Sequence, residues 1–384
     1  MALPSRLAIP AFLGLILAST GCSGCDDDPA PVAPVGKGGS AGSGGAGVGG
    51  KAGASASAGT GGSAGTGGSA GTGGSAGTGG GSGAGGTAGS GGASGSSACG
   101  PATGNGTLAS ATLLPMGEAR IPFDAVPSPD GCSVFFTAID AAGLPAIFKS
   151  APGGAATRLG GGAPMQLPSS IATNTSGASL FIADPEAETS PNVFGAVFTV
   201  SSTGGTPEAL PGTTGKAPTG LTIARLAATD VLYFTGREPN GTGAVYSIPA
   251  AGGTASVVYS GSLLPSPTAV AVTDDGAVYV ADSILGAIYQ LKGNTATFIR
   301  GTFKSGFPAG IAVSTDGKGL NVATRGSSSR IDRIDLVATT TTSFAAGLES
   351  GNDPAGLHRA LGADVYSFVD QGVGTTGGVY LLKP

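Results

Sequence analysis

The 384-residue chain has no tryptophan, a single histidine (His358), four cysteines and three methionines, and only 11% of its residues are charged. Each shortage removes a class of function. One histidine and two cysteines in the C-terminal part, Cys99 and Cys132, fall short of a closed zinc shell. With no tryptophan and an aromatic share of 5%, a polysaccharide lectin is disfavoured, because sugar stacking needs exposed Trp or Tyr. Eighteen Lys and Arg against 23 Asp and Glu leave a net charge of −5, without the basic footprint of a nucleic-acid binder. Nucleic acid is therefore not an expected partner. No apolar run is long enough to span a bilayer; that from Leu7 to Ala18 covers about 12 residues, short of the roughly 20 a spanning helix needs.

What that run does fit is the apolar core of a signal peptide, with Arg6 as the lone positive charge before it. It ends in Ala18-Ser19-Thr20-Gly21-Cys22, which resembles a bacterial lipobox, whose small residues precede the cysteine that is lipidated. Ser19 stands where that pattern usually has Leu, so cleavage by ordinary signal peptidase near Thr20 is the alternative. The resemblance implies residues 1–22 as a leader, Cys22 as the lipidation site, and a membrane partner through the lipid. The chain is thus expected to be exported and anchored at the outer membrane or cell surface, or secreted if the lipobox is not used.

Glycine is abundant, and unevenly so. Of 74 glycines, 30 fall in the 63 positions 36–98, where Gly-Thr-Gly-Gly-Ser-Ala repeats from Gly59. With no large apolar side chain beyond Val48, this stretch cannot bury enough surface to offset the entropy of ordering. Residues 23–98 are read as a disordered tether, its Gly-rich part reaching roughly 45 Å. A collagen helix is excluded, because glycine does not recur at every third residue.

Residues 99–384 form the folded part, and internal repetition sets its architecture. A Pro-x-x-apolar signature opens six units, at Pro122, Pro168, Pro218, Pro267, Pro308 and Pro354. Each signature begins an apolar strand, often followed by an Asp-Gly turn as at Asp130-Gly131, Asp275-Gly276 and Asp316-Gly317. A second strand such as Ser133-Val-Phe-Phe-Thr137, a third such as Ala244-Val-Tyr-Ser-Ile248 and in most units a fourth follow. Four strands in 41 to 50 residues is the period of a β-propeller. Unit six stops after its third strand at Pro384, while Thr107–Leu114 is an unassigned strand before unit one. The fold class is therefore all-β: a six-bladed β-propeller whose last blade is closed by the N-terminal strand, which hides an open edge. A monomer is expected.

The segment 267–291, PTAVAVTDDGAVYVADSILGAIYQL, closely resembles an NHL repeat, and unit five is similar more loosely. The resemblance implies a propeller and little about activity, since such propellers serve as binding platforms, lyases and lactonases. In NHL-like repeats the Asp of Ile-Ala-Asp184 and Val-Ala-Asp282 usually bonds to loop backbone; units three and five have Gly236 and Thr324 there. NHL-type lyases use several His and metal ligands, which this chain lacks. Gluconolactonase-like propellers use a Glu/Asn/Asp metal cluster opened by an early acidic motif, which the surroundings of Glu118 do not match.

Ligands of propellers bind around the channel mouth. Loops leading into first strands carry Arg120, Gln166, Lys216, Lys304, Asn352 and Asp353; loops joining second and third strands carry Asp140, Asp184, Glu186, Glu188, Arg237, Glu238, Asp282, Arg325 and Asp370. From these, Arg120, Lys216, Asp282, Arg325, Asp353 and Asp370 are ligand-rim candidates, although any single one of them reads more readily as solvated loop surface. His358 joins them, as a general base facing the channel or as an inert hydrogen-bonded side chain. Glycines 160–162, 204–205 and 252–253 follow third strands rather than preceding helices, so they are turns and not phosphate cradles. No cofactor is expected, although calcium is compatible with mouth carboxylates and carbonyls. Cys99 and Cys132 read as a disulfide in an oxidising compartment, or as two unpaired thiols. Two functions remain: a non-catalytic envelope module binding a protein, peptide or glycan at the channel mouth, and a metal-assisted lyase or lactone hydrolase working inside it.

Overall fold

The computed structural model describes residues 104–384. The leader, Cys22, the tether and Cys99 lie outside the described residues. Strand β1 (Ser110–Leu113) comes first and joins the last sheet. Blade 1 comprises β2 (Arg120–Pro127), β3 (Val134–Ile139), β4 (Pro145–Ser150) and β5 (Thr157–Gly161). Blade 2 comprises β6 (Ser170–Thr173), β7 (Ser179–Ser190), β8 (Val193–Ser201) and β9 (Glu208–Ala209). Blade 3 comprises β10 (Leu221–Leu226), β11 (Thr229–Arg237), β12 (Gly243–Pro249) and β13 (Ser256–Ser260). Blade 4 comprises β14 (Pro267–Val272), β15 (Val278–Asp282), β16 (Ala287–Lys292) and β17 (Thr295–Arg300). Blade 5 comprises β18 (Gly310–Val313), β19 (Gly319–Arg325), β20 (Ser329–Asp335) and β21 (Thr341–Phe344). Blade 6 comprises β22 (Pro354–Arg359), β23 (Tyr366–Asp370) and β24 (Gly378–Lys383), with β1 as its fourth strand. The result is the expected six-bladed propeller, and β1 pairs β24 from Ser110↔Lys383 to Leu113↔Tyr380.

Packing explains why these strands show little polar alternation. Each blade is sandwiched between two others, so successive side chains of a strand enter opposite interfaces and both must be apolar. Phe136 enters the core shared by blades 6 and 1, with Val369 and Leu381. Its neighbour Phe135 enters the core between blades 1 and 2, with Ile171 and Leu180. Likewise Phe181 of blade 2 packs with Leu221 and Phe234 of blade 3, while Leu180 and Ile182 turn back towards blade 1. Within blades, stacked aromatic pairs bind second to third strands: Phe136 on Phe148 at 5.2 Å, Phe234 on Tyr246 at 5.1 Å and Phe368 on Tyr380 at 4.9 Å.

Two of the Asp-Gly turns show why glycine is required there. Gly131 and Gly276 take φ of 66° and 90°, where a side chain would be strained. The Asp before each glycine is held by a hydroxyl: Ser128 Oγ donates to Asp130 Oδ1 at 2.5 Å, and Thr273 Oγ1 donates to Asp275 Oδ1. The same hydroxyls accept from the returning chain, at Ser133 N (3.0 Å) and Ala277 N (2.7 Å). Cys132 lies in the first of these turns.

Two outcomes are expected. Phe136→Ala removes a fully buried ring from the blade 6–blade 1 core and should cost about 3–5 kcal/mol in urea unfolding. The hydroxyl bonds from Ser128 and Thr273 hold Asp130 and Asp275 below the usual carboxylate range. A depressed carboxylate contributes stability above its unfolded pKa and loses it as pH falls through its folded value. The double variant D130N/D275N should thus be less stable than wild type at pH 7, with the gap closing below about pH 4 in acid titrations.

Candidate functional site

The ring has two faces. Loops entering the innermost strands and loops joining second to third strands form the upper face; the remaining turns form the lower face. Four aspartates of the upper face, Asp140, Asp184, Asp282 and Asp370, are committed to backbone. Asp184 is buried and takes four amides: Gln166 N at 2.7 Å and Leu167 N at 2.9 Å on Oδ2, Glu186 N at 3.0 Å and Ala187 N at 2.9 Å on Oδ1. Burial raises its carboxyl above the ordinary range, against the pull of those amides. Asp282 does the same for Ser266 N (2.6 Å), Ile284 N (3.1 Å) and Leu285 N (3.0 Å). Asp370 Oδ1 takes Asp353 N at 3.1 Å and Gly372 N at 2.9 Å, and Asp140 Oδ1 takes Ala142 N and Leu144 N, both at 2.9 Å. Where Asp is replaced, Thr235 Oγ1 accepts from Gly220 N at 2.8 Å and Thr324 Oγ1 donates to Lys304 O at 3.0 Å. Apart from Asp140, whose bonds stay in its own loop, these side chains stitch the end of the second strand to the segment entering the innermost strand of the same blade.

The rim candidates therefore separate. Asp282 and Asp370 are buried; Asp282 has both oxygens bonded to amides, and Asp370 has Oδ1 bonded to two, so both serve the backbone rather than standing free on the rim. Lys216 lies over the Tyr246 ring, Nζ 4.5 Å from its centroid, while the Tyr246 hydroxyl donates to Glu238 Oε1 at 2.7 Å. Arg120 is exposed and donates to Ala119 O at 2.7 Å. Arg325 and Asp353 form an ion pair on the rim between blades 5 and 6. Burial, and then nearby Asp370, lift the Asp353 carboxyl, while Arg325 pulls it down. The face brings Arg325 together with Lys304, Ile284, Leu285 and Phe303 around an open cleft of about 530 Å³ between blades 4 and 5.

His358 is not on the rim. It projects from β22 inside the channel, where Nε2 lies 2.8 Å from Asp124 Oδ2. Asp124 is fully buried and was not among the sequence candidates. Its Oδ2 also accepts from Ser170 Oγ (2.6 Å) and Ile171 N (2.9 Å), and Oδ1 accepts from Ala125 N (2.8 Å), so blades 6, 1 and 2 meet on one carboxylate. One signal in the sequence marks it. Aligned on the signature Pro, the third position reads Asp124, Ser170, Gly220, Ala269, Gly310 and Gly356. Small residues are required there because the next innermost strand comes very close: a Cβ on Gly310 would stand 2.5 Å from Leu357 N. Asp124 is the sole ionisable residue in that set.

Side chains from blades 2 to 6 close the channel beside His358, leaving no room for a substrate among Leu221, Val270, Ile311 and Leu357. Among the described residues, no three His, Cys, Asp or Glu side chains are grouped to hold a metal ion. What the upper face does expose is apolar. Of eleven large hydrophobic side chains exposed among the described residues, seven lie on it: Ile121, Leu144, Phe194, Leu263, Ile284, Leu285 and Phe307. The lower face has Val337, and the outer strands carry the other three. Phe194 sits on the β7–β8 hairpin, whose ladder continues beyond Asp184↔Ala196 to Ser190↔Val193.

No family model and no curated protein matches this chain. Solved structures do. The PQQ-bound aldose sugar dehydrogenase of Streptomyces coelicolor superposes with a TM-score of 0.51 at 16% identity, covering 71% of this chain and 98% of that one. A gluconolactonase from Xanthomonas campestris gives 0.51 at 15% identity over 72% of this chain and 90% of that one. The calcium-binding protein regucalcin from Agrobacterium tumefaciens gives 0.50 at 13% over 71% and 93%. At such identities the likeness shows the six-bladed propeller and nothing of its chemistry.

Replacing Asp184 by Asn puts an amide donor against two backbone N–H groups. The D184N variant should lose about 2–4 kcal/mol in denaturant unfolding, whether or not any ligand is present.

Proposed function

We propose that the propeller is a non-catalytic binding module of the cell envelope that engages a protein or peptide partner through its upper face. The observation that carries this reading is the concentration of exposed apolar side chains on that face, led by Ile284 at 70% exposure beside Leu285, while Asp140, Asp184, Asp282 and Asp370 there are bonded to backbone amides. Exposed apolar clusters rimmed by charge mark interaction sites, and Arg325 and Lys304 supply that rim at the blade 4–blade 5 cleft. The sequence adds the setting. Export, lipidation at Cys22, surface localisation and a long tether suit a module that must reach beyond a membrane. Kinship with NHL repeats, carried by residues 267–291, is part of the same proposal.

The competing reading is a metal-assisted lyase or lactone hydrolase, to which the gluconolactonase and regucalcin likenesses lend the scaffold. It requires several free carboxylates or amides converging in an accessible channel. The closed channel and the committed upper-face carboxylates count against it.

The test compares the purified chain with the variant I284E/L285E for retention on immobilised envelope fractions: protein, peptidoglycan and polysaccharide separately. Retention on the protein fraction, reduced at least about tenfold in the variant with an unchanged melting temperature, is expected. Calcium-dependent turnover of five- or six-membered lactones would overturn the reading in favour of hydrolysis.

A further inference from the structure

Five of the six third strands share a pattern that blade 5 breaks. Aligned by pairing with the second strand, one position reads Ala146, Ala196, Ala244, Ala287, Arg330 and Gly378 in blades 1 to 6. Two residues further on stand Phe148, Phe198, Tyr246, Tyr289, Asp332 and Tyr380. Each of the five rings packs into or against the core shared with the preceding blade. Blade 5 therefore meets blade 4 with a carboxylate where the other blades use a ring, and with a guanidinium where they have a methyl group or a hydrogen.

The facing strand of blade 4 departs in the same way. Opposite the residue that follows the small position, blade 3 has Tyr259 and blade 5 has Phe344, each packed against the core shared with the next blade. Blade 4 has Arg300 there, opposite Ile288. Two rings are thus absent from one interface, and a cavity of about 210 Å³ lies in it. Ile288, Val322 and Ile334 line it with apolar surface; Arg300, Arg330 and Asp332 line it with charge.

The charges do not cancel. Arg330 and Asp332 satisfy each other, Nε donating to Oδ1 at 2.9 Å and Nη2 to Oδ2 at 3.2 Å, and Ser343 Oγ adds a bond to Asp332 Oδ1 at 2.6 Å. Arg300 is exposed, and no described residue bonds its guanidinium. One surplus positive charge beside apolar walls suits a ligand that joins a ring to a single negative group.

We propose that this pocket binds a small aromatic monocarboxylate, benzoate in size, whose ring takes the place of the absent blade 5 side chain and whose carboxylate pairs with Arg300. The site lies between the outer strands of blades 4 and 5 and does not depend on the function proposed for the upper face. Benzamide lacks the charge and acetate lacks the ring, so each meets half of the site.

The experiment titrates the purified full chain with benzoate, benzamide or acetate in a calorimeter at constant ionic strength. One benzoate per chain is expected, with Kd on the order of 1 mM or tighter. Benzamide and acetate should bind at least about tenfold more weakly, and R300Q should weaken benzoate by a similar factor with its melting temperature unchanged. R330A/D332Y, which restores the Ala and Tyr of blades 3 and 4, should refill the pocket and abolish binding. The upper-face variant I284E/L285E should bind benzoate as the wild type does, whatever it does to retention on envelope protein. Failure of the wild-type chain to bind benzoate overturns the proposal. So does binding that R300Q leaves unchanged, or that a folded R330A/D332Y retains.

Discussion

Closing a ring from a linear chain puts the greatest demand on the seam where the two ends meet, between blade 6 and blade 1. Four separate interactions hold it. Strand β1 supplies the missing fourth strand of blade 6, a core of Phe136, Phe148, Val369 and Leu381 fills the space between the blades, and Ser367 Oγ donates to Ala125 O at 2.7 Å. The fourth is Asp124, whose carboxylate takes donors from blades 1, 2 and 6. A buried carboxylate is tolerated here because both oxygens are hydrogen-bonded. Between blades 3 and 4 and between blades 5 and 6, closely approaching small residues serve at the same level, at Gly220 and Gly310.

The same economy of polar groups shapes the faces. A propeller loop carries amides that neither ladder nor helix can satisfy, and this chain satisfies many of them with an aspartate at the end of the second strand. That use makes Asp184, Asp282 and Asp370 structural. It also leaves the upper face to be characterised by what is not committed: apolar tips at Ile284, Leu285, Phe194 and Phe307, with Arg325 paired to Asp353 at their edge. A surface of that kind recognises shape and apolar area, which fits a macromolecular partner better than a small polar substrate.

Much of the fold is legible in the residues themselves. Six Pro-x-x-apolar signatures, Asp-Gly turns and an orphan strand at Thr107–Leu114 together require six blades and closure by the N-terminal strand. The backbone-binding role of Asp184 and Asp282 is legible too, through their place in a repeated unit. The site is much less so. His358 is visible as a lone histidine, yet nothing near it in sequence names its partner, because Asp124 lies 234 residues away and on the first blade. Lys216 and Asp370 look like free rim charges until Tyr246 and the amides of Asp353 and Gly372 are seen beside them.

Periodicity and composition by themselves determined the all-β repeat, the blade count and the location of the turns, because these follow from local pattern and residue inventory. Tertiary structure alone decided which charges are spent and which are free, and that the channel is closed rather than open beside His358. Those properties depend on contacts between residues on different blades, and the energy of a buried charge is set by what surrounds it in space, not by its neighbours along the chain.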